Sequence, residues 1–444
     1  MMSCENNYAV EGADGMEYKR NNKNEIILKL FIAGIIILML MRDIAHISIN
    51  KYIYVIYSAS LMCLADYQTL VYMLSFLFPL VWGLPGTYIM LCATILLIIK
   101  TTILNKKAIL LMLLFAIMEL LASFWYPDVD FVEMAGYLFS VFVFFILLYF
   151  KEKIDCMKCV KLFFYGVAIL CLIVVISGLL KAPSDWRYLF SKGWFRFGET
   201  QVNNSGSMMT SVNANTLAYY SITGICCGLV LLKREKGINK IIIIIIITYF
   251  VISGFLSVSR SWLLVASICV ILFILSETRS FRGILSVSVI AIIGVLTIVY
   301  FLKNNPELLQ GILRRLNDSG MSTAGGRVEL FSLYLKAFLK SPRFFIIGTG
   351  VTQYKEVTHI FDSVHNGLEQ ILICYGLTGS IVFIKGMLYP VWKIRNTIKP
   401  LIYWMPFVGV ALFTQTIQFV NPDALMFPYI IAVFALKAGG EESE

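Results

Sequence analysis

Charge is what this chain has least of. Only 14% of its 444 residues are Asp, Glu, Lys or Arg, where soluble domains carry about 25%. With 59% hydrophobic residues set against that, the composition excludes a cytosolic enzyme, a DNA-binding protein and a secreted disulfide scaffold. Histidine is rarer still, with three in the whole chain. No phosphate loop of the G-x-x-x-x-G-K-S/T form and no dinucleotide fingerprint occurs, and no cytoplasmic connection is long enough to hold a nucleotide-binding domain. The polar, mixed-charge start does not read as a cleavable signal peptide. Continuous apolar runs, rather than period-two alternation, argue against an outer-membrane barrel. Ten cysteines are present, yet none falls in an expected outer loop, so no disulfide is expected. Cys156-Met157-Lys158-Cys159 has a metal-like spacing, but without a second pair or a nearby His it reads as two thiols in a short cytosolic turn.

What the chain does have is apolar runs. They fall near 26–42, 50–65, 67–82, 87–104, 107–123, 134–150, 162–180, 214–232, 239–257, 260–277, 284–302, 370–386, 400–418 and 424–438. A span needs about 20 apolar residues, so the expected fold is all-α, a polytopic integral membrane protein of twelve to fourteen transmembrane helices. The least certain division is 50–82, split at Ala65-Asp66-Tyr67-Gln68, where a re-entrant segment is the alternative. Lys151-Glu152-Lys153, Lys233-Arg234-Glu235-Lys236 and Lys393-Ile394-Arg395 crowd cations into short connections of one face. Short loops set orientation, so that face and both termini are expected in the cytoplasm. The net charge of +10 is dispersed over membrane-flanking turns, which suits anionic headgroups and not nucleic acid. Residues 241–247 read as a lipid-facing start of a span. Four segments follow: a polar cytoplasmic tail over 1–25, a transmembrane half over 26–213, a core over 214–386, and a C-terminal pair of spans with a short tail over 387–444.

Only two connections are long, 181–213 and 303–369, and both fall on the outer face. The first interleaves Trp186, Arg187, Tyr188, Trp194, Phe195, Arg196 and Phe197, a mixture that suits headgroups, sugars or phosphates. The second opens with Pro306 and a basic patch at Arg314 and Arg315, followed by a flexible Gly- and Ser-rich stretch over 317–326. Apolar residues at Val328, Phe331, Leu335 and Phe338, with Arg327, Lys336 and Lys340 around them, predict an amphipathic helix lying in the interface. Pro342 ends it, and Gly348-Thr349-Gly350 makes a side-chain-poor turn where a backbone can approach a ligand.

The most informative segment is Asp362-Ser363-Val364-His365-Asn366-Gly367-Leu368-Glu369-Gln370, which runs into an apolar span. His365 can serve as a general base near neutral pH, with Asp362 or Glu369 orienting it from helical offsets of three and four. His46 and His359 read as structural. Arg260, in a polar break too short to leave the outer surface, either snorkels to headgroups or meets an anionic substrate. Glu119, near the outer end of its run, is a candidate partner for a cation or an acceptor-binding group.

Taken in order, the Ser259-Arg260-Ser261 turn, Gly326-Arg327 opening a helix, Gly348-x-Gly350, His365-Asn366 with Glu369, and Gly376-Leu377-x-Gly379 resemble the O-antigen ligase and O-antigen polymerase superfamily over about residues 214–386. The resemblance implies glycosyl transfer at the outer face of the bacterial inner membrane, from a glycan linked through pyrophosphate to a polyprenyl carrier. It also implies Arg260, with Arg327 beside it, on the pyrophosphate and His365 in catalysis. Arg314, Arg315, Arg196, Asn366 and Glu369 complete the substrate-binding candidates. No cofactor and no metal are expected; membrane lipid, a flippase and a chain-length regulator are the expected partners. The leading expectation is a polymerase of O-antigen, capsule or exopolysaccharide repeats, with ligation to a lipid A core or protein as its near alternative. Asp128-Val129-Asp130 on an outer turn keeps open a glycosyltransferase using polyprenyl-monophosphate sugars. A lipid-linked glycan flippase or other transporter is the alternative outside enzymology, opposed by spans nearly free of charge.

Overall fold

A computed structural model describes residues 6–124, 129–182, 184–192, 195–198, 212–277, 299–300, 303–317, 327–360, 362–397, 400–415, 418–419 and 426–441. Among these residues the chain is helical and has no strand. In chain order the helices are α1 (Asn6–Asp43), α2 (Lys51–Leu64), α3 (Tyr67–Leu77, continued by a 3-10 turn Phe78–Gly83), α4 (Gly86–Lys100), α5 (Lys106–Ser123), α6 (Phe131–Leu148), α7 (Cys156–Lys181), α8 (Trp186–Ser191) and α9 (Ala214–Arg234). There follow α10 (Gly237–Leu256), α11 (Arg260–Glu277), α12 (Pro306–Asn317), α13 (Arg327–Lys340), α14 (Pro342–Ile346), α15 (Tyr354–Thr358), α16 (Gly367–Ile394), α17 (Met405–Phe413, preceded by a 3-10 turn Leu401–Trp404) and α18 (Phe427–Glu441).

Every expected run coincides with a helix except 284–302, which lies almost wholly outside the described residues. Among the described residues six helices are long and apolar enough to cross a membrane, and six shorter apolar helices of 10–17 residues accompany them. The outward faces are apolar as well. Ile241, Ile242, Ile244 and Ile245 on α10, and Leu110, Leu113 and Ile117 on α5, are exposed. Patches of this extent are rare on soluble monomers. The protein is therefore an all-α, multi-pass membrane protein.

Helix starts follow local chemistry. Asn50, Asp66, Asn105, Asp130, Asp155, Asn213 and Asn366 each accept a backbone N–H of the first turn of the helix they precede, satisfying donors that a helix start leaves open. Asp66 thereby confirms the break at Ala65 to Gln68. Within the polar N-terminal segment, α1 is helical from Asn6 and runs through the first span.

The centre of the bundle is α3, whose residues Thr69 to Leu77 are all buried, as a helix apolar on every side must be. Against it pack α7, α1 and α4; α18, where Ile430 to Leu436 have no exposure, lies on α7. Phe78 stacks on Phe427 at 4.2 Å, so both ends of the chain share one core.

The expected alternation of ends is visible in hydrogen bonds. At the end with short connections, Asn24 donates to Asp66 (2.7 Å), Lys100 to the Cys63 carbonyl (2.8 Å), Asn105 to the Tyr149 carbonyl (3.1 Å) and Arg234 to the Ala438 carbonyl (2.8 Å). The opposite end carries both long connections, and they meet: α12 lies on α8, with Gly311 against the Phe190 backbone. The cysteine pair belongs to the first end but not to an open turn. Cys156 and Cys159 occupy the first turn of α7 and are buried.

Charge does enter the bundle. Arg42 and Asp43, at the long-loop end of α1, are buried and paired side by side at 2.8 Å. Arg42 also donates to the Gly83 carbonyl and lies 5.2 Å from the Tyr54 ring.

Candidate functional site

The long-loop end is built on α16, which is interrupted at Gly376 (φ 63°, ψ −173°). Unwinding there leaves the Ile373 and Cys374 carbonyls open, and the Gly348-Thr349-Gly350 turn fills the gap. Thr349 N–H donates to Ile373 (3.0 Å) and Gly350 N–H to Cys374 (2.9 Å). Gly348 has φ 88°, and a Cβ on it would overlap the Cys374 carbonyl; one on Gly376 would overlap the Ile346 carbonyl. The turn expected to approach a ligand instead approaches the chain's own broken helix. The same segment explains Glu119. Its carboxylate is fully buried and accepts from Val351 N–H (2.9 Å), Thr352 N–H (3.1 Å) and the Thr352 hydroxyl (2.8 Å). It is a cradle for backbone donors, not the partner of a cation and not an open acceptor group.

The amphipathic helix is α13, with one correction to its face. Val328 and Phe331 are exposed, whereas Tyr334 and Phe338 are buried. The inward stripe is Leu330-Tyr334-Phe338, which steps by four as regularly as the stripe read from sequence. Packing selects it because the Tyr334 hydroxyl has work there: it donates to the Ile360 carbonyl (3.1 Å) and the Asp362 carbonyl (2.6 Å). Burial raises the pKa of this phenol above its ordinary value, so it stays a donor. Its ring packs 5.9 Å from Tyr354, which receives Gln418 Nε2 at 2.8 Å.

Tyr334 thus fixes the chain three residues ahead of His365. His365 itself is half-buried in a non-helical stretch, and Asn366, in extended conformation (φ −141°), caps α16 by accepting from Leu368 N–H (3.0 Å) and Glu369 N–H (3.3 Å). Because the helix starts only at Gly367, the helical offsets expected between Asp362, His365 and Glu369 do not hold. Asp362 is exposed. Gly367 N–H is taken by the Thr414 carbonyl (2.7 Å), and the buried Gln370 accepts from Phe419 N–H (2.9 Å), so α16 begins pinned to the segment after α17.

Between α13 and this helix start lies a cleft of about 240 Å3, lined by Phe331, Leu335, Phe338, Asn366, Glu369 and Gln415 among others. Glu369 Oε1 is enclosed by the protein and has no hydrogen-bond partner. Sequence reasoning named Asn366, Glu369, Phe331, Leu335 and Phe338 but missed Tyr334, Gln370 and Gln415; the second stripe of α13 was the signal for the first of these.

Arg260 is half-buried as the first residue of α11. The reversal before it is strained: Val258, a β-branched residue, has φ 48°, a conformation costing about 1–3 kcal/mol. Ser259 holds the turn by donating to Asn215 at 3.2 Å. The path from Arg260 to His365 runs through α9, where Tyr219 packs 5.4 Å from Phe413, next to the Thr414 that holds Gly367. Arg327 opens α13 and Arg315 belongs to α12, but their side chains lie outside the described residues. Arg314 is exposed on α12.

The aromatic and cationic segment of the first loop folds inward. Trp186, Phe195 and Phe197 form a triad with centroids 5.2–6.3 Å apart, and Phe197 is buried with its N–H on the Leu256 carbonyl. Arg196 is half-buried between two of these rings; Trp194 lies outside the described residues. Asp130 caps α6 by accepting from the Val132 and Glu133 N–H groups, and Asp128 lies outside the described residues. His46 and His359 both adopt left-handed conformations, His359 as the cap ending α15. Among the described residues no cluster of potential metal ligands occurs. The chain matches no protein-family model, and no curated protein matches it significantly.

Proposed function

We propose that this chain is a membrane glycosyltransferase acting on polyprenyl-pyrophosphate-linked oligosaccharides at the outer face of the bacterial inner membrane, joining O-antigen, capsule or exopolysaccharide repeat units. The observation that carries the reading is the cleft beside His365, formed by α13 and the start of α16, both at the end where the two long connections meet. Chemistry at that end needs no nucleotide domain, because a sugar on pyrophosphate already has a labile bond. Arg260, at the start of α11, offers two parallel hydrogen bonds to phosphate oxygens and stabilises charge on the leaving group. His365 takes the proton of the acceptor hydroxyl; its oxygen bonds to the anomeric carbon as the bond from that carbon to pyrophosphate breaks.

The test supplies the purified protein with lipid-pyrophosphate repeat units alone. Chain growth supports the polymerase, turnover only after a second acceptor supports the ligase, and no new glycosidic bond overturns both. One observation favours transport: α16 is discontinuous at Gly376, and broken helices often mark transporter sites. Here, however, the open Ile373 and Cys374 carbonyls are taken by Thr349 and Gly350, which suits a sealed plug better than an ion site. Movement of lipid-linked glycan across the membrane without a new bond would decide for the transporter.

A further inference from the structure

We infer that the cleft between α13 and α16 is a subsite for a single sugar ring, the terminal ring of the acceptor glycan, held by Glu369, Asn366 and Gln415; this rests on the glycosyl-transfer reading of the same end. Three features identify the occupant. The volume, about 240 Å3, is below the roughly 300–1,000 Å3 of pockets for drug-sized ligands, so one ring fits and an oligosaccharide does not. The polar side carries Asn366, Glu369 and Gln415, groups that are costly to cover with anything that cannot hydrogen-bond to them. A polyprenyl tail has no donor to give, whereas the hydroxyls of a pyranose do. The α13 side is apolar, with Phe331, Leu335 and Phe338, a surface for the C–H face of the ring. Asn366 follows His365 directly, so a ring held here keeps its hydroxyl edge beside the residue that takes the proton.

The experiment uses the full-length protein in nanodiscs and saturation-transfer NMR with the methyl pyranosides of glucose, galactose, mannose and N-acetylglucosamine. At least one is expected to bind the wild type, about tenfold more weakly in Glu369→Gln, which replaces the carboxyl group at the cleft with an amide. Phe331→Ala, at an exposed rim position that leaves the core intact, is expected to weaken it about threefold; it decides the matter should Glu369→Gln fail to fold. Absence of binding by every pyranoside, or affinity unchanged in both variants, overturns the subsite. So does binding of a linear alkylamine in place of the sugars, lost in Glu369→Gln, because it would make the carboxylate a cation site. The two readings fail separately. Chain growth from lipid-linked repeats without pyranoside binding removes the subsite and leaves the glycosyltransferase; pyranoside binding without any new glycosidic bond does the reverse.

Discussion

The two ends of the helix bundle are built by opposite rules. At the end with short connections, polar groups are spent on fastening: Lys100, Asn105 and Arg234 each reach a carbonyl of a neighbouring segment, Glu152 gathers Thr101 and Thr102, and Lys437 lies 3.6 Å from the Phe150 ring. At the other end stand a left-handed Val258, a helix broken at Gly376, and the half-buried Arg260 and His365. Strained backbone tends to cluster at functional sites. The difference supports placing the proposed chemistry at the long-loop end. Changes there should remove activity with little loss of fold, or fold where the plug is touched, whereas changes at the fastened end should do neither strongly.

The largest expected effect is on chemistry. His365→Ala should lower chain growth by about 100-fold or more, the range of general acid–base contributions, with membrane insertion and thermal unfolding unchanged. Wild-type chain growth in this variant would remove His365 from catalysis. Next comes the plug. Glu119→Ala strands the Val351 and Thr352 N–H groups inside the bundle and is expected to cost about 2–4 kcal/mol, seen as a lowered unfolding temperature. Arg260→Lys follows: charge stays but the planar fork is lost, and donor affinity should fall about tenfold. Unchanged affinity would mean that Arg260 merely reaches for headgroups.

The same contrast explains how much was legible beforehand. Spans announce themselves by composition, and the Asn and Asp caps mark where most of them begin, so helix order and the alternation of ends followed from the residues alone. The site was readable only in part. Asn366 and Glu369 lie in one chain segment, and both line the cleft. Glu119 was misread because its partners, Val351 and Thr352, are more than 230 residues away and act through backbone groups that leave no trace in side-chain chemistry. On α13 two stripes share Phe338 and differ by a single step. Only the distant Ile360 and Asp362 carbonyls choose between them, by giving Tyr334 something to donate to.

The smallest effect belongs to the fastened end. Lys161 and Glu235 form an ion pair at 2.5 Å between α7 and the α9–α10 connection, with side chains 34% and 21% exposed. The hydrogen bond from Lys161, then that from Asn239, lowers the Glu235 pKa against the raising effect of burial. A lowered folded pKa contributes stability above the ordinary carboxylate range that is lost as pH falls through the folded value. Solvent screening limits such a pair to about 0.2–1 kcal/mol. Lys161→Met should therefore lower the unfolding temperature slightly at neutral pH and low salt. The gap from wild type should shrink with added salt and close in acid, once Glu235 is protonated in both proteins. Chain growth should not change. If it fell while unfolding stayed the same, the fastened end would be taking part in the reaction, and the division of labour between the two ends would be wrong.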